Sequence, residues 1–229
     1  MDRTVVITGA NRGIGLELVR LFARSGAQVI AGVRDPSAAI ELRNLALEFP
    51  IRILELDVAN GTSVSNFCRA IGDEKIDGLI NNAGIMGGVR QSISDMDYDA
   101  WSETFEVNTI APFRLSIALL DNLKRAKAPR IVTLTSQMGA LSRKSLGSFA
   151  YRSSKAAANK MMQVLALELE TYGIIACPVH PGWVRTEMGG PEATLSVEES
   201  AQGLFALIEG LTLEQSGRFW TWDGTEHGW

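Results

Sequence analysis

The chain has 229 residues, 46% of them hydrophobic, with 22 Lys+Arg against 26 Asp+Glu and a formal net charge of −4. That balance argues against a general nucleic-acid binder, and two histidines with two distant cysteines, Cys68 and Cys177, argue against a metal centre or a disulfide scaffold. No apolar run reaches the roughly 20 residues of a membrane span, and the opening MDRTVVITGA lacks a signal-peptide pattern, so a cytoplasmic protein is expected.

Short apolar, β-branched runs predict strands at 3–8, 27–33, 51–56, 77–81, 130–135, 173–179 and, from a weaker pattern, 218–222. Helix-period segments lie between them at 13–25, 36–48, 61–72, 97–125, 149–172 and 197–209. Repeated β-α alternation predicts right-handed crossovers and one α/β domain over 1–229, a doubly wound parallel sheet of about seven strands with helices on both faces. The segments 84–96 and 181–196 fit neither period. Both follow predicted strands, which puts them at the carboxyl edge of the sheet, where ligands bind in this architecture.

The first predicted strand runs into TGANRGIG, Thr8 to Gly15, and a helix follows. Glycines in such a turn let the backbone approach a pyrophosphate, whose charge then meets the helix amino end. The second strand ends in Gly32-Val33-Arg34-Asp35. A carboxylate at this position accepts from the ribose 2′-hydroxyl of NAD, whereas an arginine pairs with the 2′-phosphate of NADP. Arg34 comes first and Arg12 lies in the turn, so NADP is expected; Asp35 is the residue that speaks for NAD.

Tyr151 and Lys155 are four apart on one face of a predicted helix, in YRSSK. An ammonium near a phenol stabilises the phenolate and is expected to lower its pKa, making a usable general acid. A Tyr-x3-Lys pair on most helices is only a solvated surface pair; the neighbouring residues give this one weight. Ser136 ends the fifth predicted strand and can bond the same carbonyl oxygen, and Asn108 in the preceding helix is expected to hold a water leading to Lys155.

With these residues in view, the sequence resembles the short-chain dehydrogenase/reductase family. TGANRGIG matches its cofactor turn, NNAG (81–84) its fourth-strand motif, Asn108, Ser136, Tyr151 and Lys155 its catalytic tetrad, and HPGWVRTEM (180–188) its Pro-Gly segment. The segments GVRDP, PGWVRTEMGG and WTWDG are most similar to NADP-dependent carbonyl reductases and C-factor-like proteins. The resemblance implies a Rossmann-type domain. It assigns cofactor contacts to Gly9, Asn11, Arg12, Gly13, Ile14, Gly15 and Arg34, the adenine to Asp57 and Val58, and the adenosine ribose to Asn82, Ala83 and Gly84. It sets Pro181, Gly182, Val184 and Thr186 against the nicotinamide, and Lys155 also against the nicotinamide ribose. The function implied is reduction of aldehydes and ketones by NADPH with Tyr151 as acid. The alternatives are a 3-oxoacyl-carrier-protein reductase, with Arg143, Lys144 and Arg152 receiving the carrier, and a C-factor-like signalling protein using the dinucleotide as ligand.

Met86, Met138, Phe149, Trp183 and Met188 are candidates for the substrate wall, around a pocket left open by the short 189–196 segment. His180 is expected to be structural and Cys177 a small core residue. Trp220, Trp222 and Trp229 point to a tail that packs down on its own core, with a pocket cover or a subunit interface as alternatives. A homodimer or homotetramer through 97–125 and 149–172 is open, as is a monomer.

Overall fold

The computed structural model describes residues 3–229. Seven strands form one parallel sheet: β1 (Thr4–Thr8), β2 (Gln28–Val33), β3 (Ile51–Glu55), β4 (Gly78–Asn81), β5 (Arg130–Leu134), β6 (Ile175–His180) and β7 (Trp220–Thr221). Their order is β3-β2-β1-β4-β5-β6-β7, with Thr4 opposite Gln28 on one side of β1 and Val5 opposite Gly78 on the other. The direction of strand progression therefore reverses at β1/β4. The loops after those two strands diverge there and leave a crevice at the carboxyl edge.

Every residue of β1, β4 and β6 is buried, as strands covered on both faces must be. On one face pack α1 (Gly13–Arg24), α2 (Ile40–Leu45) and α8 (Val197–Gly210), with Phe22 edge-on to Phe205 at 4.9 Å. On the other lie α3 (Gly61–Ile71), α5 (Ala111–Ala118), α6 (Leu120–Lys124) and α7 (Phe149–Leu169), around Phe67, Leu79, Leu115, Ile131 and Met162. Each such side chain contributes roughly 1.5–3 kcal/mol when fully buried. The fold is a single Rossmann-like domain, and among the described residues no helix is long and apolar enough to cross a membrane.

Several boundaries differ from the sequence expectation. The 36–48 helix contracts to α2, because Pro36 and the Asp35 carboxylate hold 35–38 in a turn. The single 97–125 helix is divided into α4 (Tyr98–Phe105), a π turn at Glu106–Ile110, α5 and α6, with a break at Leu119. β6 starts two residues later than expected and reaches His180, and β7 keeps only two residues of 218–222.

Candidate active site

Five strands, β1, β2, β3, β4 and β6, deliver the expected cofactor residues to the carboxyl edge: Gly9 to Gly15, Arg34, Asp57 and Val58, Asn82 to Gly84, and Pro181 to Thr186. β5 delivers Ser136, while Asn108 sits in the π turn and Tyr151 and Lys155 in α7.

The glycine turn is held by the strand beside it. Asn82 Nδ2 donates to the carbonyls of Thr8 (2.8 Å) and Gly9 (3.0 Å), and the amides of Asn82 and Ala83 donate to Thr8 Oγ1 at 3.1 and 3.0 Å. A Cβ on Gly15 would lie 2.4 Å from the Gly9 carbonyl oxygen and 2.5 Å from Asn82 Nδ2, so the packing admits only glycine. Gly9 and Gly13 have φ of 62° and 53°, in the left-handed region glycine enters without strain. Arg12, the residue before α1, gives the helix no side-chain cap. The first amides of α1 therefore keep unfilled donors at the positive end of the helix dipole, which suits a pyrophosphate. The residues present fit a dinucleotide.

Asp35 is spent locally: its Oδ1 accepts from Ser37 N (2.8 Å), Ser37 Oγ (2.6 Å) and Ala38 N (3.2 Å). The Ser37 hydroxyl foremost, with these amides, holds the Asp35 carboxyl below the usual carboxylate range. Arg34 is exposed and forms no ion pair among the described residues. Arg12, expected to join it, instead pairs with Glu187 from the segment after β6. The two arginines do not converge here, because a carboxylate 175 positions away in sequence takes one of them. No sequence period could have announced that pair. Asp57 likewise turns inward on its own loop, with Oδ1 accepting from Ala59 N at 3.0 Å, and Val58 offers its carbonyl to Arg114.

The tetrad candidates are all buried: Asn108 1%, Ser136 6%, Tyr151 8% and Lys155 5% exposed. Lys155 Nζ donates to the Leu134 carbonyl at 2.8 Å and lies 5.7 Å from the Tyr151 ring centre. Burial pushes its pKa down to about 8. The Tyr151 phenol moves the other way from expectation. Burial raises its pKa, a hydrogen bond with Ser136 partly offsets that rise, and the lysine is not among the causes. Desolvation of a group that would become an anion decides the direction, so Tyr151 carries its proton at neutral pH.

Asn108, expected to hold a water leading to Lys155, commits its side chain to protein partners: its Nδ2 donates to Ile85 O (2.8 Å) and Ser154 Oγ (3.0 Å), and its Oδ1 accepts from Ile85 N (2.9 Å). The side chain ties the segment after β4 to α7. The π turn around it shifts the helical ladder by one residue, which frees backbone carbonyls for other partners. A Cβ on Gly84 would lie 3.1 Å from Asn108 Oδ1 and 3.4 Å from Lys155 Nζ, so these two polar groups flank one point that glycine leaves open.

Sequence reasoning missed Gln91. Its Oε1 accepts from the amides of Ala150 (2.9 Å) and Tyr151 (3.3 Å), while Nε2 donates to Met86 O and Gly88 O, both at 2.8 Å. The helix needs this remote cap, because Ser148 enters α7 in a left-handed conformation (φ 54°) and offers no side-chain cap. The partners are some sixty positions apart, and no local signal marks them. Thr8, whose hydroxyl receives two amides, was passed over for the same reason.

The expected substrate-wall residues do not gather in one place. Met138 and Phe149 line a cavity of about 440 Å³ beside the loop that joins Ser136 to α7; Met86, Trp183 and Met188 do not. Trp183 and Met188 are both 48% exposed, and Trp183 Nε1 donates to Gly189 O at 2.9 Å. In the segment after β6, Pro181 O accepts from Ser200 Oγ of α8 at 2.6 Å, and Thr186 Oγ1 accepts from Gly189 N at 3.1 Å. His180 is buried, with its pKa pushed down to about 4 first by burial and then by His227, and its Nδ1 has no hydrogen-bond partner among the described residues. Cys177 is buried too, and both cysteines are free.

The tail packs on its own chain. Trp222 sits between Gly182 and Gly203, where added Cβ atoms would come within 3.1 Å of its Cδ1 and 2.5 Å of its Cε3. Phe219 carries His227 at 4.8 Å and Trp229 at 5.7 Å, and Ser142 N donates to Trp229 O at 3.1 Å.

The short chain dehydrogenase family model matches residues 3–194. The chain is 41% identical over 155 residues to the C-signal of Myxococcus xanthus, covering 67% of this chain and 93% of that protein. Over 99% of both chains it superposes on the NADPH-bound carbonyl reductase from chicken fatty liver, with a TM-score of 0.93 and 33% identity. A carbonyl reductase from Pseudomonas aeruginosa in complex with NADP covers 100% of both chains, with a TM-score of 0.88 and 36% identity. A glycine turn stitched to β4, a buried Ser136–Tyr151–Lys155 cluster and a family match over most of its length together identify this chain as a member of the short-chain dehydrogenase family.

Proposed function

We propose that the chain is an NADPH-dependent carbonyl reductase, one domain over 1–229, that converts aldehydes and ketones to alcohols. The observation that carries this reading is the buried Tyr151 phenol, which burial keeps protonated, clustered with the buried Ser136 and Lys155. A phenol that holds its proton at neutral pH is ready to donate it, the direction reduction requires. Bound NADPH supplies the hydride. Ser136 Oγ orients the substrate carbonyl oxygen by a hydrogen bond. Tyr151 Oη gives its proton to that oxygen, and the Lys155 ammonium stabilises the phenolate left behind. Asn108 positions the segment after β4 against α7. At the other end of the site, commitment of Asp35 to its own turn leaves Arg34 as the charged group beside the ribose position, which favours NADP over NAD.

Turnover of a panel of aldehydes, diketones and 3-oxoacyl thioesters with NADPH and NADH tests the reading. Oxidation of NADPH with the simple carbonyls, and at least tenfold preference over NADH that falls in Arg34→Ala, is expected. Activity confined to thioesters selects the carrier-protein reductase. Dinucleotide binding without turnover selects a signalling role, the reading favoured by the likeness to the Myxococcus C-signal. We also read a cytoplasmic protein. Ile110, Phe113 and Ile117 in and beside α5, and Val164 and Leu167 in α7, are exposed apolar side chains on the helices through which a homodimer or homotetramer would form, with a monomer as the alternative. A single-chain mass in solution would select the monomer.

A further inference from the structure

The 440 Å³ cavity beside α7 is lined by none of Asn108, Ser136, Tyr151 and Lys155. Its helical wall is Phe149, Arg152, Ser153 and Ala156, at the spacing of one helix face, while Tyr151 and Lys155 occupy another. The opposite wall is the 138–147 loop, including Met138, Leu141, Arg143 and Leu146. The volume lies in the range of about 300–1,000 Å³ typical of small-molecule sites.

Two properties define what it would hold. The first is exposed apolar surface at its mouth: Leu141 is 86% and Leu146 97% exposed, with Phe149 at 41%. The second is uncompensated positive charge. Residues 122–167 contain nine Lys and Arg and no Asp or Glu, in a chain with 26 acidic residues. Three cations of that stretch are engaged away from the cavity: Arg125 pairs with Asp73, Lys124 lies over the Tyr172 ring, and Arg130 bonds the Glu209 carbonyl. Among the described residues, Arg143 and Arg152 have no carboxylate within ion-pair distance; Arg143 Nη1 donates to Gln137 Oε1 and Arg152 Nε to Gly147 O at 3.0 Å. A guanidinium has five N–H donors, so most remain for an anion.

We propose that this cavity is a second ligand site, separate from the catalytic cleft, for a small amphipathic carboxylate whose apolar body covers Leu141, Leu146 and Phe149 and whose head pairs with Arg143 and Arg152. The floor of the cavity is also the support of the catalytic helix. A Cβ on Gly139 would lie 2.6 Å from the Lys155 carbonyl carbon, so the loop presses directly on the backbone behind that residue.

Isothermal calorimetry with decanoate tests the site independently of turnover, so its failure and that of the reductase reading are distinguishable. One decanoate per chain is expected to bind. Arg143→Gln/Arg152→Gln is expected to weaken binding at least tenfold and Leu146→Ser several-fold, both with unchanged melting temperature, and decanol is expected not to bind. Saturating carbonyl substrate and NADPH leave the decanoate affinity within twofold. The proposal fails if no heat is seen, if the double variant binds as well as wild type, or if carbonyl substrate displaces decanoate. It also fails if decanoate binding is lost on association of two copies, which would make this face a subunit contact, or if only an acidic protein binds there.

Discussion

The two ends of the binding crevice are built differently. At the β1/β4 end, backbone amides and carbonyls are joined through Thr8 and Asn82, and Gly15 is packed so closely that one added carbon collides with backbone. Away from the glycine turn, the segments 85–96, 137–148 and 183–190, which follow β4, β5 and β6, carry Val89, Ile93, Leu146, Trp183 and Met188 exposed at 48–99%. A dinucleotide has one shape, and a rigid cradle lowers the ordering cost of binding it. A surface of exposed apolar loop side chains has little backbone dependence and can vary without endangering the fold.

The sharpest break in this comparison is Tyr151→Phe. It removes the proposed proton donor while keeping the ring, so kcat should fall by about 10²–10⁴ with unchanged NADPH affinity and melting temperature. Gly15→Val attacks the rigid end: at least a hundredfold loss of NADPH affinity by titration is expected, since the side chain displaces Gly9 or Asn82.

Lys155 links the two ends through its charge. Its folded pKa, about 8, lies below the unfolded value near 10.4. The unfolded chain binds more protons between those values, so stability rises as pH increases from about 8 to 10, by roughly 3 kcal/mol at most. Denaturant unfolding at pH 7 and pH 10 checks this, and Lys155→Met should be more stable than wild type at pH 7 while inactive.

Gln91→Ala uncaps the amides of Ala150 and Tyr151 and should lower kcat about tenfold while leaving NADPH affinity alone. Gln91→Glu keeps the acceptor and should restore most of that loss. At the small end, Val89→Ser and Ile93→Ser, 99% and 95% exposed, should move stability by under about 0.5 kcal/mol yet change the ranking of carbonyl substrates.

The strands and most helices were legible because apolar runs and helix periods are local. The glycine turn was legible because a strand, a Gly-rich turn and a helix follow each other directly. What escaped was set by contacts between distant segments. Glu187 reaches Arg12, Gln91 caps α7, and the π turn at Glu106–Ile110 interrupts an unbroken helix pattern. The direction of the Tyr151 shift escaped for another reason: spacing locates a neighbouring cation but not the depth of burial, and burial decided the sign. For Asp35, composition left two coenzymes open, and only the hydrogen bonds to Ser37 and Ala38 show where the carboxylate is committed.

The strand order has a consequence for how the chain is made. β1 needs β2 on one side and β4 on the other, and Gly78 is 70 positions after Thr8. At a synthesis rate of roughly 5–20 residues per second, this fully buried strand waits about 4–14 s with one apolar edge unpaired. Chaperone dependence during translation should therefore centre on the interval before Asn81 leaves the ribosome, and a synonymous slowdown there should cost more yield than the same slowdown after β5.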